Sequence, residues 1–206
     1  MKDIIMENIM LVNIAWNPHK WREPYSDPKS GHSYVREHSS HESLNFKFNK
    51  SGIDDKKYIH GFAKLWSPAP KRFNENGLII FWTKNTETKE RLIVGMYGKA
   101  NLLEVNKEYY YKDFENGRCS ANIQAEKDFS MLFPVYLNDK KYEKYKNKKN
   151  SLMCQTCFTY KDDVFAKEII LDEINKLKKM KDKDKEEELI KLKTIYKYYF
   201  GNNDQL

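Results

Sequence analysis

The chain has few of the residues that mark disulfide-rich, low-complexity or membrane proteins. Three cysteines in 206 residues cannot form a disulfide framework, and they favour a reducing, cytoplasmic setting. Eight glycines and six prolines argue against a low-complexity chain. No apolar run approaches the ~20 residues that a membrane span needs. The N-terminal segment carries acidic residues and no small-residue cleavage site, so we expect no secretory signal and no membrane association.

Motifs of several enzyme classes are also missing. The sequence has no Walker A loop, no G-x-S-x-G elbow and no H-E-x-x-H pair. Acid–lysine triplets of the nuclease kind occur at 55–57 and 139–141, but such triplets arise by chance in a lysine-rich chain. We therefore expect no catalytic residues and no cofactor, with an unrecognised nuclease as a remote alternative.

Candidate metal ligands occur in two places, and neither makes a complete site. Cys154 and Cys157 have the spacing of half a zinc site, but the second half is missing. His32, His38 and His41 lie close in sequence, yet a helix would not place all three on one face. We expect no metal.

Positive charge is present in excess and is unevenly distributed. The chain has 37 Lys+Arg against 30 Asp+Glu, a net charge of +7. Residues 161–206 are neutral, so the whole excess lies in residues 1–160, together with most of the aromatic residues. Basic charge attracts phosphate backbones and aromatic faces stack on bases, so this part is a candidate nucleic-acid binder.

Hydrophobic patterning predicts an α+β protein. Residues 77–83 and 91–100 predict a hairpin, in which Gly95 and Gly98 indicate a bulge or a close backbone approach. We expect a small, curved, mixed β-barrel with flanking helices in residues 1–160 and a helical segment or linker in residues 161–206. The other predicted strands are residues 8–16, 58–66 and 131–137, and Pro134 makes the last of these an edge strand or the site of a bulge.

Aromatic residues stand at strand ends and in a long proline-rich loop, as a base-holding pocket requires. Trp16 ends the first strand, and Trp82 ends the first hairpin strand; Trp66 precedes Pro68. Trp21 and Tyr25 lie in a loop without apolar neighbours to bury them, which predicts exposed rings. Basic residues interleave with these aromatics as candidate phosphate contacts, namely Lys20, Arg22, Lys71, Arg72 and Lys99.

The hairpin GLIIFWTKNTETKERLIVGMYGKANL resembles the central hairpin of the EVE/YTH branch of the PUA-like fold. MLVNIAWN is similar to the opening strand of these domains, and FPVYL to a later proline-bearing strand. A close likeness is the N-terminal DNA-recognition domain of archaeal McrB-type, modification-dependent restriction proteins. The resemblance implies binding of a modified base that is flipped into an aromatic pocket. The base-pocket positions that the resemblance implies are Trp16, Asn17, His41, Asn45, Phe46 and Trp82. Trp21 and Tyr25 of the proline-rich loop complete the predicted base pocket.

The partners that this resemblance implies are DNA, a GTPase motor in the same longer chain and a nuclease subunit. Two alternatives stay open. An RNA-binding protein of the same fold would have the same charge and stacking faces. A protein–protein assembly module could instead dock through its helical tail, which is neutral and has apolar residues at helical spacing.

Overall fold

The fold is a mixed β-sheet with two long helices on one face. The computed structural model describes residues 8–65, 70–114, 117–146, 152–153, 157–180 and 185–201. Within these ranges the strands are β1 (Ile9–Asn13), β2 (Tyr58–Gly61), β3 (Gly77–Lys84), β4 (Arg91–Tyr110), β5 (Arg118–Glu126), β6 (Ser130–Asn138) and β7 (Phe158–Lys161). The α-helices are α1 (Ser33–Glu37), α2 (Asp163–Lys179) and α3 (Glu186–Phe200), and short 3₁₀ helices span His41–Leu44, Lys127–Phe129 and Asp139–Tyr145.

The strand order is β2-β5-β4-β3-β1-β7, and β6 pairs with β4 beside this path. β1 and β3 are parallel, while the other paired strands are antiparallel. The α+β prediction is confirmed, but the predicted barrel is wrong, since in the described ranges β2 and β7 end the strand order and do not pair with each other. The long strand β4 pairs first with β3 and β6 and then with β5, so it extends the sheet instead of closing it.

The apolar run of β1 is continuous because this strand is buried on both faces. Ile9 and Leu11 point into a core that also contains residues of α2 and α3. Met10 and Val12 point into a second core on the opposite face, where the proline-rich loop packs. The same alternation along β3 confirms the predicted first strand and the predicted hairpin.

Gly95 of β4 lies where no side chain fits, as the hairpin pattern indicated. A Cβ there would lie 2.5 Å from the Met131 carbonyl oxygen and 2.7 Å from the Phe46 ring. The β4–β6 pairing is irregular next to this residue, and Pro134 lies in the unpaired part of β6. The structure therefore has the predicted close backbone approach at Gly95, with a shift in the β4–β6 register beside it.

The two C-terminal helices cover the first core. The Asp162 side chain accepts a hydrogen bond from the Phe165 amide (2.8 Å) and caps the start of α2. Ile169 and Ile174 of α2 and Leu192 of α3 are buried in the same cluster as β1 and β3. The apolar faces of these helices are thus covered by the sheet, while the boundary at residue 160 stays a prediction.

Glu173 of α2 supports the unpaired part of β6 from inside the protein. Its Oε1 accepts a hydrogen bond from the Val135 amide (3.1 Å), which has no strand partner. The side chain is fully buried, and Oε2 has no partner in the described part of the chain. Burial raises the pKa of Glu173 to about 7.

Replacing Glu173 by glutamine should therefore change the pH dependence of stability. The folded-state pKa lies above the ordinary value of 4.5, so the native protein holds the extra proton between these values and loses stability as the pH rises through them. A neutral glutamine at this position avoids this loss, and we expect a gain of about 2 kcal/mol in unfolding free energy above pH 7. Urea unfolding at pH 5 and pH 8 measures it.

The exposed Glu143 provides the control for this prediction. Its carboxylate forms a surface ion pair with Lys146 (2.8 Å), and Glu143→Gln should leave stability nearly unchanged at either pH, because exposed pairs contribute little. If the free energies of unfolding of the wild-type protein and Glu173→Gln changed with pH in the same way, the raised pKa of Glu173 would be contradicted.

Candidate ligand pocket

A cavity of about 560 Å³ opens where β1 and β3 end. The chain leaves β1 at Asn13 and passes through the proline-rich loop, so β1, β3, α1 and the His41–Leu44 helix all contribute walls. Its lining includes Ile14, Ala15, Trp16, Asp27, Ser30, Gly31, His32, Tyr34, Val35, Ser40, His41, Glu42, Phe62, Lys64, Trp82, Lys84, Thr86 and Cys157.

Glu42 fixes the inner wall of this cavity. Its carboxylate is buried and accepts hydrogen bonds from the Ala15 amide (2.7 Å), the Ser40 hydroxyl (3.3 Å) and the Lys64 amide (3.4 Å). Burial raises the pKa of Glu42, although these hydrogen bonds act in the opposite direction. One side chain therefore ties three separate segments of the chain together at the pocket.

Trp16 forms an aromatic wall that is held from behind. Its ring meets the Trp21 ring edge-to-face, with centroids 5.8 Å apart. Trp21 is fully buried, and its indole N–H donates to the Ala15 carbonyl (2.9 Å). The half-buried Trp16 ring is thus placed by a rigid neighbour, as a stacking surface requires.

His41 and Trp82 form further aromatic parts of the lining. The His41 ring stacks on Phe114 at 5.3 Å, and its Nδ1 accepts a hydrogen bond from the Ser120 amide (3.2 Å). Desolvation lowers the pKa of His41, which favours the neutral ring. Trp82 donates through its indole N–H to Asp139 Oδ2 (3.1 Å) and is fixed in place.

Three pocket residues carry buried polar atoms without hydrogen-bond partners in the described ranges. These atoms are the Trp16 indole nitrogen, Asp27 Oδ2 and the Thr86 hydroxyl oxygen. Asp27 is only 1% exposed, and its other oxygen accepts from the Lys29 amide (3.0 Å). Native proteins pair nearly all buried polar atoms, because an unpaired one costs about 1–3 kcal/mol. The folded chain therefore leaves one donor, one acceptor and one hydroxyl unsatisfied among the described residues that line the pocket.

Of the predicted base-pocket residues, Trp16, His41 and Trp82 line the cavity. Trp21 and Phe46 are instead fully buried in the second core, so the expectation of an exposed Trp21 is wrong. Its burial comes from Phe46 and Tyr136, which lie far away in sequence.

The remaining three predicted pocket residues have supporting positions outside the lining. Asn17 is buried, accepts from the His19 amide (2.7 Å) and donates to the Glu23 carbonyl (2.9 Å). Asn45 is buried and pairs with the Phe62 backbone through both ends of its amide. Tyr25 is half-buried, with its ring 5.7 Å from that of His19.

The five predicted phosphate contacts do not line the pocket. Lys20 and Arg22 border a smaller cavity of about 400 Å³ beside the unpaired part of β6. The Arg72 guanidinium lies over the Tyr160 ring (4.8 Å), and Lys71 is exposed. Lys99 forms an ion pair with Glu126 (3.2 Å) and lies over the Phe129 ring (4.0 Å), so its charge is already compensated.

Sequence reasoning missed Asp27, Thr86 and Lys84 as pocket residues. Lys84 had a usable signal, since it directly follows the predicted strand that carries Trp82. Asp27 and Thr86 lie in polar loops, where the sequence gave no signal of a pocket position.

The cysteines and Trp66 have different positions. Cys157 lines the pocket and Cys119 is buried, while Cys154 and Trp66 lie outside the described residues. Within the described ranges no three His, Cys, Asp or Glu side chains form a group suited to a metal ion.

Comparisons with known proteins leave the family open. No protein-family model matches the chain, and no curated protein or solved structure matches it either. None of the helices in the described ranges has the length and apolarity that a bilayer span requires.

Proposed function

We propose that this protein is a non-catalytic, nucleic-acid-binding protein of PUA/EVE-like fold that holds one flipped, modified DNA base in the pocket. It would serve in the cytoplasm as the reader of a McrBC-like restriction system. Its further partners would be a GTPase motor in the same longer chain and a nuclease subunit.

The observation that carries this proposal is the coincidence of aromatic walls with unpartnered polar atoms in one cavity. Extruded bases are held by stacking on aromatic faces and by hydrogen bonds to their edges. Trp16 supplies a half-buried ring, and Asp27 and Thr86 supply polar atoms. The volume of about 560 Å³ lies within the range of small-molecule sites, about 300–1,000 Å³.

The polar atoms match the chemistry of a base edge. An indole N–H only donates, so Trp16 needs a ring nitrogen or carbonyl oxygen. The Asp27 Oδ2 atom can accept a hydrogen bond from an N–H, which an exocyclic amino group retains after a single methylation. Every base carries both a donor and an acceptor on its Watson–Crick edge, which extrusion from the duplex exposes.

The test is binding to oligonucleotides that differ in one base. Labelled DNA with no modification, with 5-methylcytosine and with N6-methyladenine is titrated at two salt concentrations, and an RNA of the same sequence is titrated in parallel. A lower Kd for one modified DNA supports the proposal. Equal Kd values for all DNA strands would contradict recognition of a modification, and a preference for RNA would favour the alternative partner.

Trp16→Ala should weaken binding of the preferred strand by about 1–3 kcal/mol, or about 5- to 150-fold in Kd. The loss follows from the stacking that the ring provides. Tyr110→Ala is the matched control, since Tyr110 is 73% exposed and lies outside the pocket lining. The Kd of this variant for the preferred strand should stay at the wild-type value. An unchanged Kd for a folded Trp16→Ala protein would contradict the pocket as the base site.

The packing of the C-terminal helices favours this proposal over an assembly module. Ile174 of α2 and Ile195 of α3 are buried against the sheet, so these residues are not available to a partner. The pocket, in contrast, is open and carries polar atoms without partners in the described ranges.

A further inference from the structure

We infer that the groove next to the ligand pocket binds the phosphodiester backbone beside the held base. The groove has a volume of about 470 Å³ and lies between the β3–β4 turn and the Asp139–Tyr145 helix. This inference rests on the proposed function for its ligand, a nucleic-acid strand, but it concerns a different set of residues.

The groove lies beside the ligand pocket. Lys84 lines both cavities. Trp82 of the pocket donates its indole hydrogen bond to Asp139, which lines the groove. A strand that places a base in the pocket therefore passes its neighbouring phosphate along the groove.

The groove has a net charge of +2, from five cations and three carboxylates. Each carboxylate already has a partner in the protein. Asp139 accepts from Trp82 (3.1 Å), Glu143 pairs with Lys146 (2.8 Å), and Glu90 accepts from the Thr88 hydroxyl (3.1 Å). Only Glu143 is paired with a cation, and the neutral donors Trp82 and Thr88 leave the charges of Asp139 and Glu90 in place, so the excess of two positive charges comes from the remaining cations.

Three of the groove cations, Lys84, Arg91 and Lys140, have no carboxylate within ion-pair distance in the described ranges. Two lysines near Lys140 in the sequence do have carboxylate partners. Lys141 pairs with Asp172 (2.5 Å) and Lys144 pairs with Glu168 (2.6 Å), both on α2. Unpaired cations concentrated in one concave surface are the arrangement that a phosphate contact requires.

The backbone of the β3–β4 turn, which carries two of these cations, is held in a fixed geometry. The Asn85 side chain accepts from the Glu87 amide (2.8 Å) and the Thr88 amide (3.1 Å), and the Asn85 backbone bonds to Glu90 and Lys89. Lys84 and Arg91 flank this turn and are paired in the β3–β4 register. Groups that are ordered before binding lose less entropy when the ligand arrives.

The test compares two double variants that remove the same charge from neighbouring surfaces. Arg91→Gln/Lys140→Gln removes groove cations, and Lys141→Gln/Lys144→Gln removes paired cations as the control. Binding of duplex DNA is measured across a salt series. Each lost phosphate contact lowers the slope of log K against log salt by about 0.9, so the groove variant should lose about 1.8 and the control much less. Equal changes in both variants would overturn the inference.

An oligonucleotide with an abasic site separates this inference from the proposed function. The groove variant should weaken abasic binding, while Trp16→Ala should leave it unchanged because no base is present to stack. If only the groove variant weakens binding, and does so for every oligonucleotide, the proposed base pocket is contradicted and the groove inference is supported. If only Trp16→Ala weakens binding, the groove inference is contradicted. Loss of inorganic phosphate binding without loss of DNA binding would also overturn the groove as a strand site.

Discussion

Replacing Trp21 by alanine should lower the free energy of unfolding by about 3–5 kcal/mol. The Trp21 ring is fully buried and contacts Trp16, Phe46 and Tyr136 edge-to-face, with centroids 5.8–6.1 Å apart. Its removal leaves a cavity in the second core and an unpaired Ala15 carbonyl. Urea unfolding followed by circular dichroism measures the loss without depending on tryptophan fluorescence.

A glycine at the same position sharpens this prediction. Trp21 has a φ of +53°, a left-handed conformation that costs a non-glycine residue about 1–2 kcal/mol. Trp21→Gly loses the same ring but removes this strain, so it should be no less stable than Trp21→Ala. Tyr110→Ala, at an exposed ring, should change stability by less than about 0.5 kcal/mol. A loss below about 1 kcal/mol in Trp21→Ala would contradict the core position.

Asp54→Asn should have a comparable effect, about 3–5 kcal/mol, because it leaves a buried cation without its partner. The Lys50 ammonium is 1% exposed and lies 3.2 Å from the Asp54 carboxylate. Asp54 also accepts from the His60 amide (2.8 Å) and from the Lys50 amide (2.9 Å). The isosteric asparagine keeps the volume, so the loss reports the charge and its hydrogen bonds.

The pH dependence of this variant distinguishes a charge effect from a packing effect. Burial lowers the pKa of Lys50 to about 8 although Asp54 raises it, and without Asp54 the pKa should fall further. A lysine with a lowered folded-state pKa gains stability as the pH rises from that pKa towards the unfolded value. Asp54→Asn should therefore recover part of its loss as the pH rises towards 8, where the wild-type protein gains little from Lys50.

The control for this pair is the exposed Glu87, which forms an ion pair with Lys29 (3.4 Å). Glu87→Gln should cost less than about 1 kcal/mol, since exposed pairs contribute little. A pH-independent deficit in Asp54→Asn would show that the packing of the site, and not the charge of Lys50, causes the loss.

Strands with strong apolar content could be predicted from sequence, while those lined by small residues could not. β1 and β3 are buried on both faces and form continuous apolar runs. β5 also alternates regularly, but its inward positions include Cys119, Ala121 and Ala125, which carry little hydrophobic signal. The second half of β4, which pairs with β5, was missed for a different reason, since most of its residues are exposed or half-buried and show no regular apolar alternation.

Pocket residues at strand ends could be predicted from the sequence. Those whose position depends on contacts with distant segments could not. Trp16 follows β1 and Trp82 lies near the end of β3, and both line the cavity. Trp21 was misplaced because Phe46 and Tyr136, which bury it, come from distant segments. The missing partner of the Asp27 carboxylate in the described ranges is a property of the folded chain, so no local pattern reports it.

The parallel pairing of β1 and β3 has a consequence for how this protein can diversify. Parallel neighbours need a long crossover, and here residues 14–76 provide it. That crossover supplies Trp16, Asp27 and His41 to the pocket, whereas the register of β1 and β3 depends on their own buried residues. Substitutions in the crossover can therefore change the ligand preference of related proteins while the sheet stays the same.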